Sequence, residues 1–257
     1  MSDAGFDLSG RRAVVTGAST GIGAAVATRL AAAGAEVVAV SRSGRLPAAN
    51  FEATGRPAPI TALAADLADP EELDGVIEAA VARLGGLDIL VNNAGRGEWQ
   101  PLADLERARF DALIELNLWA PLRLCQLAAP HLAAGREPAV VMIGSIDAIR
   151  PSAGGVVYGA TKAALAAATV ALSKEWMGDG IRINQVDPGL IDTPMAADVV
   201  ASVRSDGAQI NLAGRVGEPE EIAGLVHYLV APVGRFANGA AFRVDGGALA
   251  LGPFDLR

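Results

Sequence analysis

Thr16-Gly17-Ala18-Ser19-Thr20-Gly21-Ile22-Gly23 stands between a short apolar run, Ala13-Val14-Val15, and a stretch of helix formers at 24–33. An apolar run closed by glycines reads as a buried strand, so the eight residues form a strand-to-helix turn. Gly17 permits the tight turn, Gly21 lets the backbone approach a pyrophosphate, and Gly23 allows helix and sheet to pack closely. The helix that follows offers free N–H groups and the positive end of its dipole to an anion. The spacing is GxxxGxG, not GxGxxG, and alone it also fits a plain Gly-rich turn. The strand before it and the helix after it favour a phosphate loop.

Outward from this turn, strand-like and helix-like segments alternate along the chain. Apolar runs at 36–40, 60–64, 88–91, 140–143, 181–186 and 241–244 read as strands. Helices are expected at 70–84, over most of 104–127, at 158–177 and at 218–230. Asp69 before Pro70 is a cap followed by proline at the first helical position. Continuous apolar strands that alternate with helices imply a parallel sheet covered on both faces. With right-handed crossovers this is a doubly wound α/β fold of Rossmann type. Neither linker nor repeat interrupts it, so 1–257 is expected to be a single domain, with a mobile substrate lid at about 190–215.

Composition narrows the function. The chain has 257 residues, 51% of them hydrophobic, enough to bury a core without staples. Its net charge of −8 opposes binding to a nucleic-acid backbone. The longest charge-free stretch, 13–28, is broken by glycines and hydroxyl residues, so no membrane span is expected. Cys125 is the single cysteine, which excludes an internal disulfide, and with two histidines no metal site is expected. The N-terminus has no basic-then-apolar start, and the cytoplasm is the expected location.

Five motifs in order carry a resemblance: the Gly-rich turn, Asn92-Asn93-Ala94-Gly95, Ser145, Tyr158-Gly159-Ala160-Thr161-Lys162, and Pro188-Gly189. With them the chain, from about residue 8 to 247, resembles a classical short-chain dehydrogenase/reductase. The resemblance implies cofactor contacts from Gly17, Ser19, Thr20, Gly21, Ile22 and Gly23. It extends them to Asn93, Ala94, Gly95, Tyr158, Lys162, Pro188, Gly189, Ile191 and Thr193. Asp66 and Leu67 would meet the adenine edge, although Asp66 also fits a helix-side cap. At the end of the second strand, Ser41 holds the position where an acid would bond ribose hydroxyls, and Arg42 follows it. Arginine forks to a phosphate, so NADP(H) is the expected cofactor, with NAD(H) left open because Thr20 is not basic.

By the same resemblance Asn117, Ser145, Tyr158 and Lys162 form a catalytic set. The chemistry is intelligible from the residues themselves. Tyr158 and Lys162 lie one turn apart on a helix face. Reduction of a ketone creates an alkoxide that needs a proton and a hydrogen-bond donor. Tyr158 would give the proton, Ser145 would hold the oxygen, and Lys162 together with the positive charge of the nicotinamide would draw down the phenol pKa. Asn117 would help hold a water chain that resupplies protons. Trp99, Asp147, Asp187 and Met195 are candidate pocket residues. Asp187 departs from the small or neutral residue usual before the Pro-Gly pair, and it fits either the active site or a turn cap. Two carboxylates near one pocket would favour a neutral hydroxylated substrate over an anionic one.

The expected activity is hydride transfer between NADP(H) and a ketone or secondary alcohol, in a homotetramer of the family's kind. A 3-oxoacyl thioester reductase is the alternative enzyme, and a non-catalytic cofactor-binding regulator is the alternative of another class.

Overall fold

β1 (Arg12–Thr16) divides its residues between two cores. Ala13 and Val15 join one with Val26 and Leu30, and Val14 joins the other with Ile77 and Leu124. A strand buried on both sides belongs to a parallel sheet covered on both faces. The computed structural model describes residues 5–46 and 60–251. Within them six further strands follow: β2 (Glu36–Ser41), β3 (Ile60–Ala64), β4 (Ile89–Asn92), β5 (Ala139–Ile143), β6 (Arg182–Pro188) and β7 (Ala241–Val244). All neighbours pair parallel, in the order β3-β2-β1-β4-β5-β6-β7. The order reverses between β1 and β4, and the crevice at the carboxyl ends of such strands is where doubly wound sheets bind ligands.

Two helices, α1 (Gly21–Ala32) and α7 (Pro219–Val230), cover one face, with Leu30 and Val226 in the same core. On the other face lie α2 (Pro70–Leu84), α4 (Ala120–Ala133) and α5 (Val156–Glu175), which contribute Ile77, Leu124 and Leu165. The bounds of α2 are those expected, because its ends are punctuated. Asp69 accepts from the Glu71 and Glu72 N–H groups, Pro70 opens the helix, and Gly85 closes it at φ 74°.

Three segments differ from expectation. The helix expected over 104–127 is α3 (Arg107–Ile114), a π-helical turn over Glu115–Trp119, and then α4, which runs on to Ala133. The expected lid loop contains a 3-10 turn at Pro194–Ala196 and a helix, α6 (Ala197–Asp206), capped by Gly207 in the left-handed region. Buried Val200 and an Arg204–Asp192 ion pair at 2.6 Å hold α6 to the body. Finally, α5 begins two residues early and continues as a 3-10 turn over Trp176–Asp179. Together they are long and apolar enough, by length and composition, to cross a membrane, contrary to the reading from charge-free runs. Here the segment packs on the sheet through Leu165 and Trp176.

Candidate active site

The turn after β1 closes against the turn after β4. Thr16 Oγ1 accepts from the N–H groups of Asn93 and Ala94, both at 3.0 Å. Asn93 returns the contact, donating from Nδ2 to the Thr16 carbonyl at 2.8 Å and the Gly17 carbonyl at 3.2 Å. Gly17 has φ +63°, and a side chain there would collide with Asn93 and Ala94, so both the turn and the close approach require glycine. Gly23 lies beneath: its Cβ would strike the Gly17 carbonyl, which fits the packing role expected of it.

A cleft of about 1260 Å³ opens over this staple. Ser19, Thr20, Gly21 and Ile22 line it at the start of α1. Ser41, Arg42, Asp66 and Leu67 line its far end. Ser41 is buried and faces Ser43, with 3.4 Å between hydroxyls, while Arg42 is exposed and makes no ion pair among the described residues. Asp66 accepts from the Ala68 N–H at 3.0 Å, so its carboxylate closes a turn and the cap of α2 falls to Asp69. Ala94, Gly95, Pro188, Gly189, Ile191 and Thr193 line the middle. A groove whose floor excludes side chains and whose end carries an unpaired guanidinium fits an extended dinucleotide with a phosphate at that end.

Ser145, Tyr158 and Lys162 meet at the other end of the cleft. Ser145 follows β5, accepts from the Asp147 N–H at 3.1 Å, and its hydroxyl faces the Tyr158 phenol and favours the phenolate. Lys162 Nζ donates to the Ile143 carbonyl at 2.9 Å and lies 5.7 Å from the centre of the Tyr158 ring. Asn117 lies behind the cleft in the π turn and not on its lining. Its amide is paired with the main chain of Arg96, N–H to Oδ1 and Nδ2 to carbonyl, each at 2.9 Å. A side chain at Gly95 would sit 3.2 Å from Asn117 Oδ1 and 3.7 Å from Lys162 Nζ, so the two groups converge there.

Burial dominates the electrostatics. It pushes the Tyr158 phenol up to about 12, with Asp147 and Asp187 adding to the rise and the Ser145 hydrogen bond opposing it. Burial brings Lys162 down to about 8, and Asp187 opposes that fall. The Lys162 ammonium bonds the Ile143 carbonyl, and in the protein alone desolvation of the phenolate sets the direction of the phenol shift. A phenol at about 12 keeps its proton at neutral pH, the state a proton donor needs.

The four candidate pocket residues separate. Trp99, Asp147 and Met195 line the cleft. Trp99 packs on Tyr158, bears on the Asp147 carboxylate, and faces the Met195 sulfur across Gly97. Asp147 also accepts from Ser152 Oγ at 3.3 Å. Asp187 is not on the lining. At 1% exposure it is buried behind Ser145, so it reaches no substrate directly. Sequence reasoning also passed over Thr16, Ser152, Arg96 and Gln185. Only Thr16, at the head of the Gly-rich turn, carried a signal that could have marked it.

A cleft at the reversal of a parallel sheet, with a phosphate loop at its middle and a Ser-Tyr-Lys set at one end, defines a nicotinamide-dependent oxidoreductase. The chain belongs to the classical short-chain dehydrogenase/reductase family. The family model described as enoyl-(acyl carrier protein) reductase matches residues 17–248. The chain is 31% identical over 242 residues to the 3-oxoacyl-(acyl-carrier-protein) reductase FabG of Thermotoga maritima, covering 93% of this chain and 98% of that one. Its fold is similar to a short-chain dehydrogenase from Burkholderia cenocepacia in complex with NADP (TM-score 0.83, 39% identity, 94% and 99% of the two chains). It is also similar to the L-sorbose reductase of Gluconobacter frateurii complexed with NADPH and L-sorbose (TM-score 0.87, 32% identity, 96% and 99%).

Proposed function

We propose that this chain is an NADP(H)-dependent oxidoreductase that interconverts a small ketone and a secondary alcohol. The observation that carries the reading is one cleft with two equipped ends: Arg42 beside Ser41 at one, and Ser145, Tyr158 and Lys162 at the other. The nicotinamide, when bound, supplies or accepts the hydride. Tyr158 gives its proton to the forming alkoxide, or takes the alcohol proton in the reverse direction. Ser145 donates to the substrate oxygen and orients the phenol. Lys162, fixed by the Ile143 carbonyl, places a positive charge beneath the Tyr158 ring. Asn117 fixes the Gly95–Arg96 main chain and converges with Lys162 at Gly95. The segment around α6 is the substrate lid, since Met195, Val199, Val203 and Ile210 face the cleft from it.

The substrate is neutral and hydroxylated. Asp147 presents a carboxylate to the cleft beside the exposed indole of Trp99, and a carboxylate accepts hydrogen bonds from hydroxyl groups while repelling anions. The fold likeness to L-sorbose reductase supports this class. A second reading, 3-oxoacyl thioester reduction, is supported by the Thermotoga relative. Against it, the net charge of −8 opposes docking of an acidic carrier, and the basic Arg136 lies just before β5, at the opposite end of that strand from Ser145. Reduced-nicotinamide absorbance, followed with polyols, hydroxyketones and a 3-oxoacyl thioester, separates the two. Turnover of the thioester alone would replace our reading with the second.

The assembly is a homotetramer built on α4 and α5. Trp119, at the end of the π turn that leads into α4, and Val170 on α5 are exposed, and such apolar surface marks an interface. Light scattering at micromolar concentration should return four times the chain mass, and a monomer would refute this.

A further inference from the structure

We propose that Asp187 is a positioning residue for proton transfer, a buried counter-charge that acts on Lys162 and Ser145 from behind the cleft. This rests on the reading of Tyr158 and Lys162 given above.

Asp187 and Gln185 alternate on β6 and therefore point to the same face of the sheet. That face lies against the start of the β5 exit loop. Gln185 Nε2 donates to Asp187 Oδ1 at 2.7 Å, and the Ser145 N–H faces the same carboxylate and favours its ionised form. Gly144 makes room for the arrangement: a Cβ there would occupy the space of Asp187 Oδ1 and Gln185 Nε2. The carboxylate thus sits over the Gly144 backbone, and Lys162 Nζ bonds the carbonyl of the preceding residue, Ile143. Gln185 commits its amide to this contact although its own Oε1 is buried and finds no partner. Mere filling of the space does not require a carboxylate held by an amide donor. The charged groups that bear on the pair are Lys162 and Tyr158 from α5, Asp147 from the loop after β5, and Arg243 opposite Asp187 on β7. Asp187 favours the ammonium form of Lys162 and raises the phenol, whereas Asp147 raises the phenol.

The chain contains only two lysines, Lys162 and exposed Lys174, so 13C-lysine labelling yields two ε-methylene signals whose titration NMR can follow. In wild type the Lys162 signal should titrate near 8. Asp187→Asn keeps size and hydrogen bonding but removes the charge, and should lower that midpoint by about half a pH unit or more. The rising limb of kcat against pH in alcohol oxidation should move to lower pH with it. Asp147→Asn should move the kinetic limb alone. A Lys162 midpoint within about 0.2 unit of wild type in Asp187→Asn, or an equal shift in Asp147→Asn, would overturn the proposal. If the Asn variant does not fold, Asp187→Ser is read in the same way. The lysine signal needs no turnover, so failure here is distinct from failure of Tyr158→Phe to abolish activity.

Discussion

Trp99 lies with its ring centre 5.4 Å from that of Tyr158 and bears on the Asp147 carboxylate from its other side, where it favours the ionised form. One side chain therefore fixes the proton donor and the pocket carboxylate relative to each other. Aromatic pairs of this kind contribute about 0.5–1.5 kcal/mol beyond buried area.

Tyr158→Phe keeps that packing and removes the ionisable hydroxyl. Its kcat should fall by about two to four orders of magnitude, in line with loss of a general acid. Cofactor binding, read by fluorescence titration, should hardly change. Retention of a tenth of wild-type turnover would remove Tyr158 from its assigned role.

The two directions should differ in pH dependence. Ketone reduction needs the protonated phenol and alcohol oxidation needs the phenolate. With the phenol pushed up to about 12, reduction should be flat through neutral pH, and oxidation should climb as the pH rises toward alkaline values. Initial rates at saturating substrate and cofactor in both directions would check this. An oxidation rate that falls between neutral and mildly alkaline pH would contradict it.

Arg42 should set cofactor choice. A charge-assisted contact to phosphate is worth about 1.5–3 kcal/mol, or roughly tenfold or more in kcat/KM for NADPH over NADH. Arg42→Ala should reduce that ratio towards one, measured by initial rates with each cofactor. A wild type that uses both equally would count against the Ser41–Arg42 reading.

Thr16→Val should be destabilising despite its similar shape. It leaves the Asn93 and Ala94 N–H groups without their acceptor, at about 1–3 kcal/mol each. Thermal unfolding should show a drop of several degrees, with Thr16→Ser close to wild type. Equal melting of the Val variant and wild type would show that the staple carries no stability.

What the sequence disclosed is what lies within contiguous residues. The phosphate loop occupies one short run, Tyr158 and Lys162 share one helix turn, and α2 is bracketed by Asp69, Pro70 and Gly85. The early start of α5 gave no such signal, since Gly155 caps it without a side-chain bond. The side of β6 on which Asp187 falls depends on strand register and on the absent side chain of Gly144, neither of which spacing can reveal. The Trp99–Asp147 contact joins two segments that only the folded sheet brings together. α6 hid among small residues, because burial of Val200 and the Asp192–Arg204 pair hold it, not local propensity.

The π-helical turn at Glu115–Trp119 reaches further than the amide of Asn117. Wider winding absorbs one extra residue, which shifts everything beyond it by about 100° around the axis. In an unbroken α-helix Phe110 and Trp119, nine residues apart, would point about 180° from each other. The wider winding brings them closer together around the axis, and both are exposed. One inserted residue thus phases the inner and the outer surface of the same rod. A deletion anywhere in that turn would take Asn117 off Arg96 and move Trp119 to another side, so the two surfaces cannot drift independently.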